Sequence, residues 1–216
     1  MKRSIRILSL ALALALLTGC AALDVILRDS PAALDGILGA NPALVASPTD
    51  SEPYFTLSVD GETALLVSGD YAQNAEDLLI RTPLAPFVSA GLDPAALGAG
   101  YRADGAYLYL TADFGGGTGA KSGIIAALME SAAADRAALS YHAALDHYGI
   151  QLPAGKFEWA KDFTDNDKDL VFVLFAAPLA GLGVDVENIE GWMFMTMEDD
   201  AGMDLDVLVK PYSLAS

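Results

Sequence analysis

The chain has 216 residues, with 29 acidic against 12 basic side chains and a formal charge of −17. A field of that sign repels nucleic acid and anionic headgroups, which excludes nucleic acid as a partner. A single cysteine, Cys20, excludes an intrachain disulfide, so the fold must stand on its apolar core.

The amino terminus carries Lys2, Arg3 and Arg6, then an apolar run over 7–17 broken only by Ser9. That run suits the hydrophobic region of a secretory leader and is too short to span a bilayer. It ends in Leu17-Thr18-Gly19-Cys20, which resembles the lipobox of bacterial lipoproteins. The resemblance covers about the first 20 residues. It implies a signal peptide over 1–19, cleavage before Cys20, a diacylglyceryl group on the Cys20 thiol and a fatty-acylated (palmitate-type) amino terminus. Two or more chains anchor stably where one binds only marginally. Ala21, rather than Asp, follows the cysteine; by the enterobacterial rule this favours the outer over the inner membrane. Cell-envelope localisation with membrane lipid as the anchoring partner is the expectation.

Residues 20–53 read as the lipidated terminus and a tether with one or two helical turns. Ser30-Pro31 suits a helix start and Gly39 a stop, and Leu34, Ile37 and Leu38 share a face able to dock on the domain or the bilayer. The polar, proline-punctuated stretch 46–53 reads as a linker. One domain is expected over 54–212.

That domain opens on two β-rich runs around Asp60-Gly61, a two-residue hairpin signal. Pro83 and Pro86 then stop any regular strand, and Leu108, Leu110, Ala112 and Phe114 alternate with polar or aromatic neighbours as a half-buried strand. Ile124, Ile125, Leu128, Ala132, Leu139 and Ala143 recur at helical spacing, predicting one long helix over about 120–148 closed by Gly149. Phe157, Trp159 and Phe163 share a face, the run over 170–175 is an apolar strand, and the chain ends in a hairpin. There Met193, Met195 and Met197 are expected opposite Val207, Leu205 and Met203. Segments 78–94 and 173–187 look alike, each passing from an apolar strand through Pro-Leu-Ala into a glycine turn with Asp. An internal duplication or a chance likeness explains them equally. The assembled expectation is α+β: an antiparallel, curved sheet of about seven strands with the long helix on one face.

Several chemical motifs fail on inspection. Residues 114–122 imitate a phosphate loop, with Gly115 and Lys121-Ser122 in place, but Ala120 stands where glycine must admit phosphate. A glycine connector capped by Thr118 or Ser122 is the better reading, and no nucleotide or other cofactor is expected. Asp113-Phe114-Gly115 spells a kinase tripeptide without its companions. Asp165, Asp167 and Asp169 resemble the start of a calcium loop, but Leu170 and Ala176 occupy its glycine and glutamate positions. Glu198, Asp199 and Asp200 form a second acidic turn. His142 and His147, about 140° apart on the expected helix, read as surface groups, and His142 with Asp146 lacks a third metal ligand. Met193, Met195, Met197, Met203 and Leu205 on one sheet face read either as core or as the lining of an apolar ligand pocket. The function expected is therefore non-enzymatic binding of an envelope protein or an apolar ligand at the membrane surface. A lipid-anchored hydrolase without a familiar motif is the alternative.

Overall fold

The computed structural model describes residues 23–70, 76–114, 119–164, 168–198 and 203–214. Cys20 and the leader lie outside the described residues, as do Asp165, Asp167, Asp199 and Asp200.

The α+β class holds, but the architecture is two six-stranded antiparallel sheets rather than one curved sheet of seven strands. The first sheet runs β1 (Val45–Ala46), β2 (Tyr54–Ser58), β3 (Ala64–Ser68), β4 (Leu78–Pro83), then β6 (Tyr107–Ala112) and, outermost, β5 (Tyr101–Asp104). The second runs β7 (Leu139–His142), β8 (His147–Leu152), β9 (Gly155–Ala160), β10 (Leu170–Phe175), then β12 (Asp204–Tyr212) and, outermost, β11 (Met193–Glu198). Neither closes or curls. Helix α1 (23–40) precedes the first set and α3 (Ile124–Ala134) the second. Short helices α2 (Ala85–Ser89) and α4 (Ala176–Gly181) follow β4 and β10.

The two halves repeat one plan: helix, four successive antiparallel strands, a short helix, and a final pair whose second strand pairs inward. The registers repeat with it. Leu65 faces Ile80 in the first half and Phe157 faces Phe172 in the second, each residue displaced by the same number of positions. Gly91 and Gly183, at equivalent places after α2 and α4, both take positive φ and meet: a Cβ on Gly91 would lie 2.9 Å from the Gly183 carbonyl oxygen. Contact between equivalent residues is what a local twofold relation produces. Of the likeness between 78–94 and 173–187, the turns Gly91-Leu92-Asp93 and Gly183-Val184-Asp185 fall in this register, whereas Pro83 ends β4 and Pro178-Leu179-Ala180 lies within α4, so the Pro-Leu-Ala match itself is not part of the repeat.

The leading helices are exchanged. In α1, Leu34 and Ile37 are fully buried, and the Trp159 indole on β9 donates to the Ser30 carbonyl at 3.1 Å. Helix α3 packs on β3 of the first sheet. Both sheets therefore present their inner faces, with Phe157, Trp159, Phe172, Leu65 and Ile80, to one shared core. The segment expected as a tether with a turn or two is helical over 23–40, and its apolar face is part of that core.

The long helix is corrected as well. It ends at Ala134, and Leu139–His142 and His147–Leu152 are paired strands turned through 143–146, with Asp146 in the left-handed region (φ 55°). Alanines gave the segment its helical spacing. Pairing with β9 and burial of Tyr148 and Ile150 override that preference, because strand formation follows packing more than intrinsic propensity. The first hairpin also departs from its two-residue form. Its register centres on Gly61, and the Asp60 carboxylate accepts from the Glu62 and Thr63 N–H groups across a five-residue loop.

Candidate functional site

An antiparallel sheet with one face in the core ordinarily turns polar side chains outward. The second sheet does not. On β10, Leu170, Phe172 and Leu174 enter the shared core, while Val171, Val173 and Phe175 point the other way and meet Val207 and Val209 of β12. Met197 and Leu205 extend this outer cluster. Met193, Met195 and Met203 are among the few large apolar side chains left exposed, at 51 %, 42 % and 65 %.

The last hairpin pairs Met193 with Val209, Met195 with Val207 and Met197 with Leu205, two residues from the expected register. A shift of two preserves the pleat, so the methionines share a face with those partners, as inferred. Met203 lies just ahead of β12, which begins at Asp204. The methionine face is the outer one, and Phe194, between them, packs toward the shared core.

Two adjoining cavities lie over this face. One, of about 520 Å³, has Val171 and Val209 in its wall with Met193, Met195 and Met197. The other, of about 340 Å³, runs over Val173, Phe175, Val207 and Leu205 to Lys156, Glu158 and Gln151. His142, Met197 and Glu198 border both, so the two form one trough with an apolar length and a polar pole.

The pole gathers the chain's two histidines. They are not surface groups on a helix but cross-strand partners on β7 and β8, and His147 is fully buried. Both turn toward Glu158 on β9, itself 1 % exposed. The Glu158 carboxylate lies 3.5 Å from His142 Nδ1, 3.7 Å from His147 Nδ1 and 3.2 Å from Lys156 Nζ. Burial pushes its pKa up, but the hydrogen bond with His142, the nearby His147 ring and the charge of Lys156 outweigh this and hold it at about 2. Gly149, between Ser140 and Glu158 in the pleat, makes the arrangement possible. A Cβ there would meet Ser140 Oγ at 3.1 Å, Glu158 Cγ at 3.2 Å and Lys156 Cδ at 3.3 Å.

The corresponding face of the first sheet is closed. Arg81 lies 4.9 Å above the Tyr107 ring and Arg102 4.1 Å above that of Tyr109. Glu52 and Glu76 pair with these arginines. Stacked cations and aromatic rings cover there what valines and methionines leave open in the second half.

The motifs dismissed from the sequence have structural partners. Lys121 pairs with Glu130 on α3, and its N–H donates to the Gly69 carbonyl at 2.7 Å. Asp169 is buried and accepts from the Leu214 N–H. Among the described residues no group of three or more potential ligands is arranged to hold a metal ion.

Glu158, Lys156, Val171, Val173 and Phe175 were missed by sequence reasoning. A signal existed: the strand over 170–175 is apolar at every position, which marks a sheet with neither face given to water. No family model, curated protein or solved structure matches the chain.

Proposed function

We propose that the protein is a bacterial cell-envelope lipoprotein, anchored to membrane lipid through Cys20, whose second half binds an apolar ligand in the trough on the outer face of its sheet. The observation that carries the binding role is the exposure of Met193 and Met195 around a cavity of about 520 Å³ with Val171 and Val209 in its wall. That volume falls in the range of small-molecule sites, which are mostly apolar with a few placed polar groups. Methionine, unbranched and polarizable, adapts to a flexible apolar occupant. Equivalent positions in the first half are covered by arginine and tyrosine, so the open face is a property of this half and not of the topology.

The role is non-enzymatic. The groups that converge at the pole, His142, His147, Lys156 and Glu158, are matched to one another. Ser140, a hydroxyl beside them on β7, has no hydrogen-bond partner and so is not activated by the imidazoles. The outer membrane is the favoured address, on the residue that follows Cys20.

A fluorescent fatty-acyl probe added to the full-length protein tests the binding role. Saturable binding that Met195→Asp removes is expected; absence of saturable binding overturns it and leaves a protein partner. Detergent partitioning tests the anchor: Cys20→Ala should move the protein out of the detergent phase, and an unchanged membrane-bound fraction refutes it.

A further inference from the structure

We propose that Met193, Met195 and Met197 of β11, together with His142 across the trough, form a binding site for a soft monovalent cation of the copper(I) class. The inference goes beyond the apolar-ligand reading and does not depend on it. Composition is the first observation. Four of the chain's six methionines lie within residues 193–203, and three of them alternate along β11 on a single face. The neighbouring strands make that face apolar with Val171, Val173, Val207 and Val209, β-branched residues that suit a sheet. An apolar lining alone gives no reason for β11 to use thioethers instead, or to leave Met193 and Met195 at 51 % and 42 % exposure.

Sulfur chemistry supplies the reason. Imidazole, thiolate and carboxylate ligands form no cluster of three among the described residues, but thioethers are a separate class. Their soft sulfur favours copper(I), whereas zinc takes nitrogen, thiolate or carboxylate ligands and calcium and magnesium take oxygen. Alternate residues of a strand stand about 7 Å apart, and methionine's three rotatable bonds let neighbouring sulfurs close on one ion. His142 lines the same cavity as all three methionines. Its Nδ1 faces the Glu158 carboxylate at 3.5 Å, which leaves Nε2 as the ring's other ligating atom. An imidazole held on a carboxylate through one nitrogen is oriented as metal-binding histidines are. Charge agrees with this: a chain of −17 draws a cation, and Glu198 stands on the same cavity wall.

Silver(I), which shares the charge and ligand preference of copper(I) without its redox chemistry, is the probe. Silver nitrate is titrated calorimetrically, in chloride-free buffer, into the full-length chain carrying Cys20→Ala, which removes the only thiol. Saturable binding that excess zinc does not displace is expected. Met195→Leu and Met197→Leu should each weaken silver about tenfold, because leucine keeps the apolar volume and removes the sulfur. His142→Gln should weaken it as well, and urea midpoints near that of the parent chain report that the variants are folded. With methyl-labelled methionine, the Met193, Met195 and Met197 resonances should move on binding while that of Met129 stays in place. Silver affinity that survives both leucine substitutions, or resonance shifts confined to other methionines, overturns the site. So does displacement by zinc. Failure of silver to bind at all overturns it too and leaves the trough standing, since a fatty-acyl probe reads the trough alone.

Discussion

Asp77 and Asp169 hold the same place in the two halves of the molecule. Each is buried just ahead of the fourth strand of its half, β4 or β10. The Asp77 carboxylate accepts from the Phe114 N–H at 2.7 Å, and Asp169 accepts from the Leu214 N–H, just past the ends of β6 and β12. The main-chain bonds beside them repeat too: Ser68 donates to the Asp77 carbonyl at 2.8 Å and Ala160 to that of Asp169 at 2.9 Å. A side-chain acceptor placed at a strand end takes an N–H that the ladder no longer serves. The recurrence of this device is independent of the Pro-Leu-Ala likeness and ties the repeat to a physical role.

Asp77→Ala and Asp169→Ala should therefore destabilise to a similar extent, about 1–3 kcal/mol each, by leaving a strand-end N–H without its acceptor. Asn at either position keeps an acceptor oxygen and should cost less. Urea midpoints at constant m-value measure it. A silent alanine at one site would show that the two halves are alike in topology only.

Asp60 ties the first half to the second. Lys210 Nζ on β12 donates to its carboxylate at 2.9 Å and to Thr63 Oγ1 at 2.8 Å, and the Tyr212 hydroxyl donates to the carboxylate at 2.6 Å. Burial raises the Asp60 pKa, but hydrogen bonds from Tyr212, Lys210 and the Thr63 and Glu62 N–H groups outweigh it, leaving it far below the ordinary carboxylate value. A carboxylate depressed in the folded state contributes stability that is complete above its unfolded pKa, about 4, and is lost as pH falls toward the folded value. Lys210→Met should cost about 1.5–3 kcal/mol at pH 7. That cost should hold down to about pH 5 and shrink in stronger acid. Urea titrations at pH 7 and pH 3 decide it; a pH-independent cost would assign the effect to lost side-chain packing.

Strands β4, β6 and β10 were legible because each reads its own environment locally. Leu108, Leu110 and Ala112 alternate with half-buried neighbours, and β10 is a short apolar run. The strands β7 and β8 were not legible: between Leu139 and Ile150 the alanines mimic a helix, and the pairing that makes them strands comes from β9, beyond them in the chain. Leu34 and Ile37 could be placed on one helical face, but their target, the Trp159 side of the second sheet, depends on an exchange of helices that no local pattern encodes. Glu158 is the extreme case. Its partners are two histidines that only the three-strand register brings together, so the polar pole was invisible until the strands were aligned.

Glu158 should be the costliest side chain of the pole to remove. Glu158→Ala leaves Lys156 and both imidazoles around a buried gap, and breaking a buried ion pair on one side costs about 3–5 kcal/mol. With the folded value held at about 2, the wild-type advantage should persist down to about pH 4 and fade between there and pH 2. Denaturant titrations of wild type and variant across that range measure it. A variant as stable as wild type at pH 7 would mean that the charges are solvated and the pole is not the closed cluster described.

The final hairpin separates stability from binding within two adjacent residues. From the sequence, Met195 read either as core or as the lining of an apolar pocket, and the sheet has an apolar outer face as well as an inner one. Phe194 packs toward the shared core, whereas Met195 is 42 % exposed on the trough. Phe194→Asp buries a carboxylate with no partner near Leu208 of β12 and should cost several kcal/mol, enough to unfold much of the protein. Met195→Asp places its charge at a wet edge and should cost about 1 kcal/mol or less. Its effect should fall on the ligand, because a carboxylate in the apolar length of the trough must be desolvated whenever a chain is bound. Met195→Ala, which only removes contact area, should weaken a fatty-acyl probe severalfold while leaving the urea midpoint nearly unmoved. Circular dichroism and probe titration of the three variants give the answer together. A Met195→Asp protein that unfolds as readily as Phe194→Asp would place the methionine in a packed core. One that stays folded and still binds the probe as wild type does would move the ligand elsewhere.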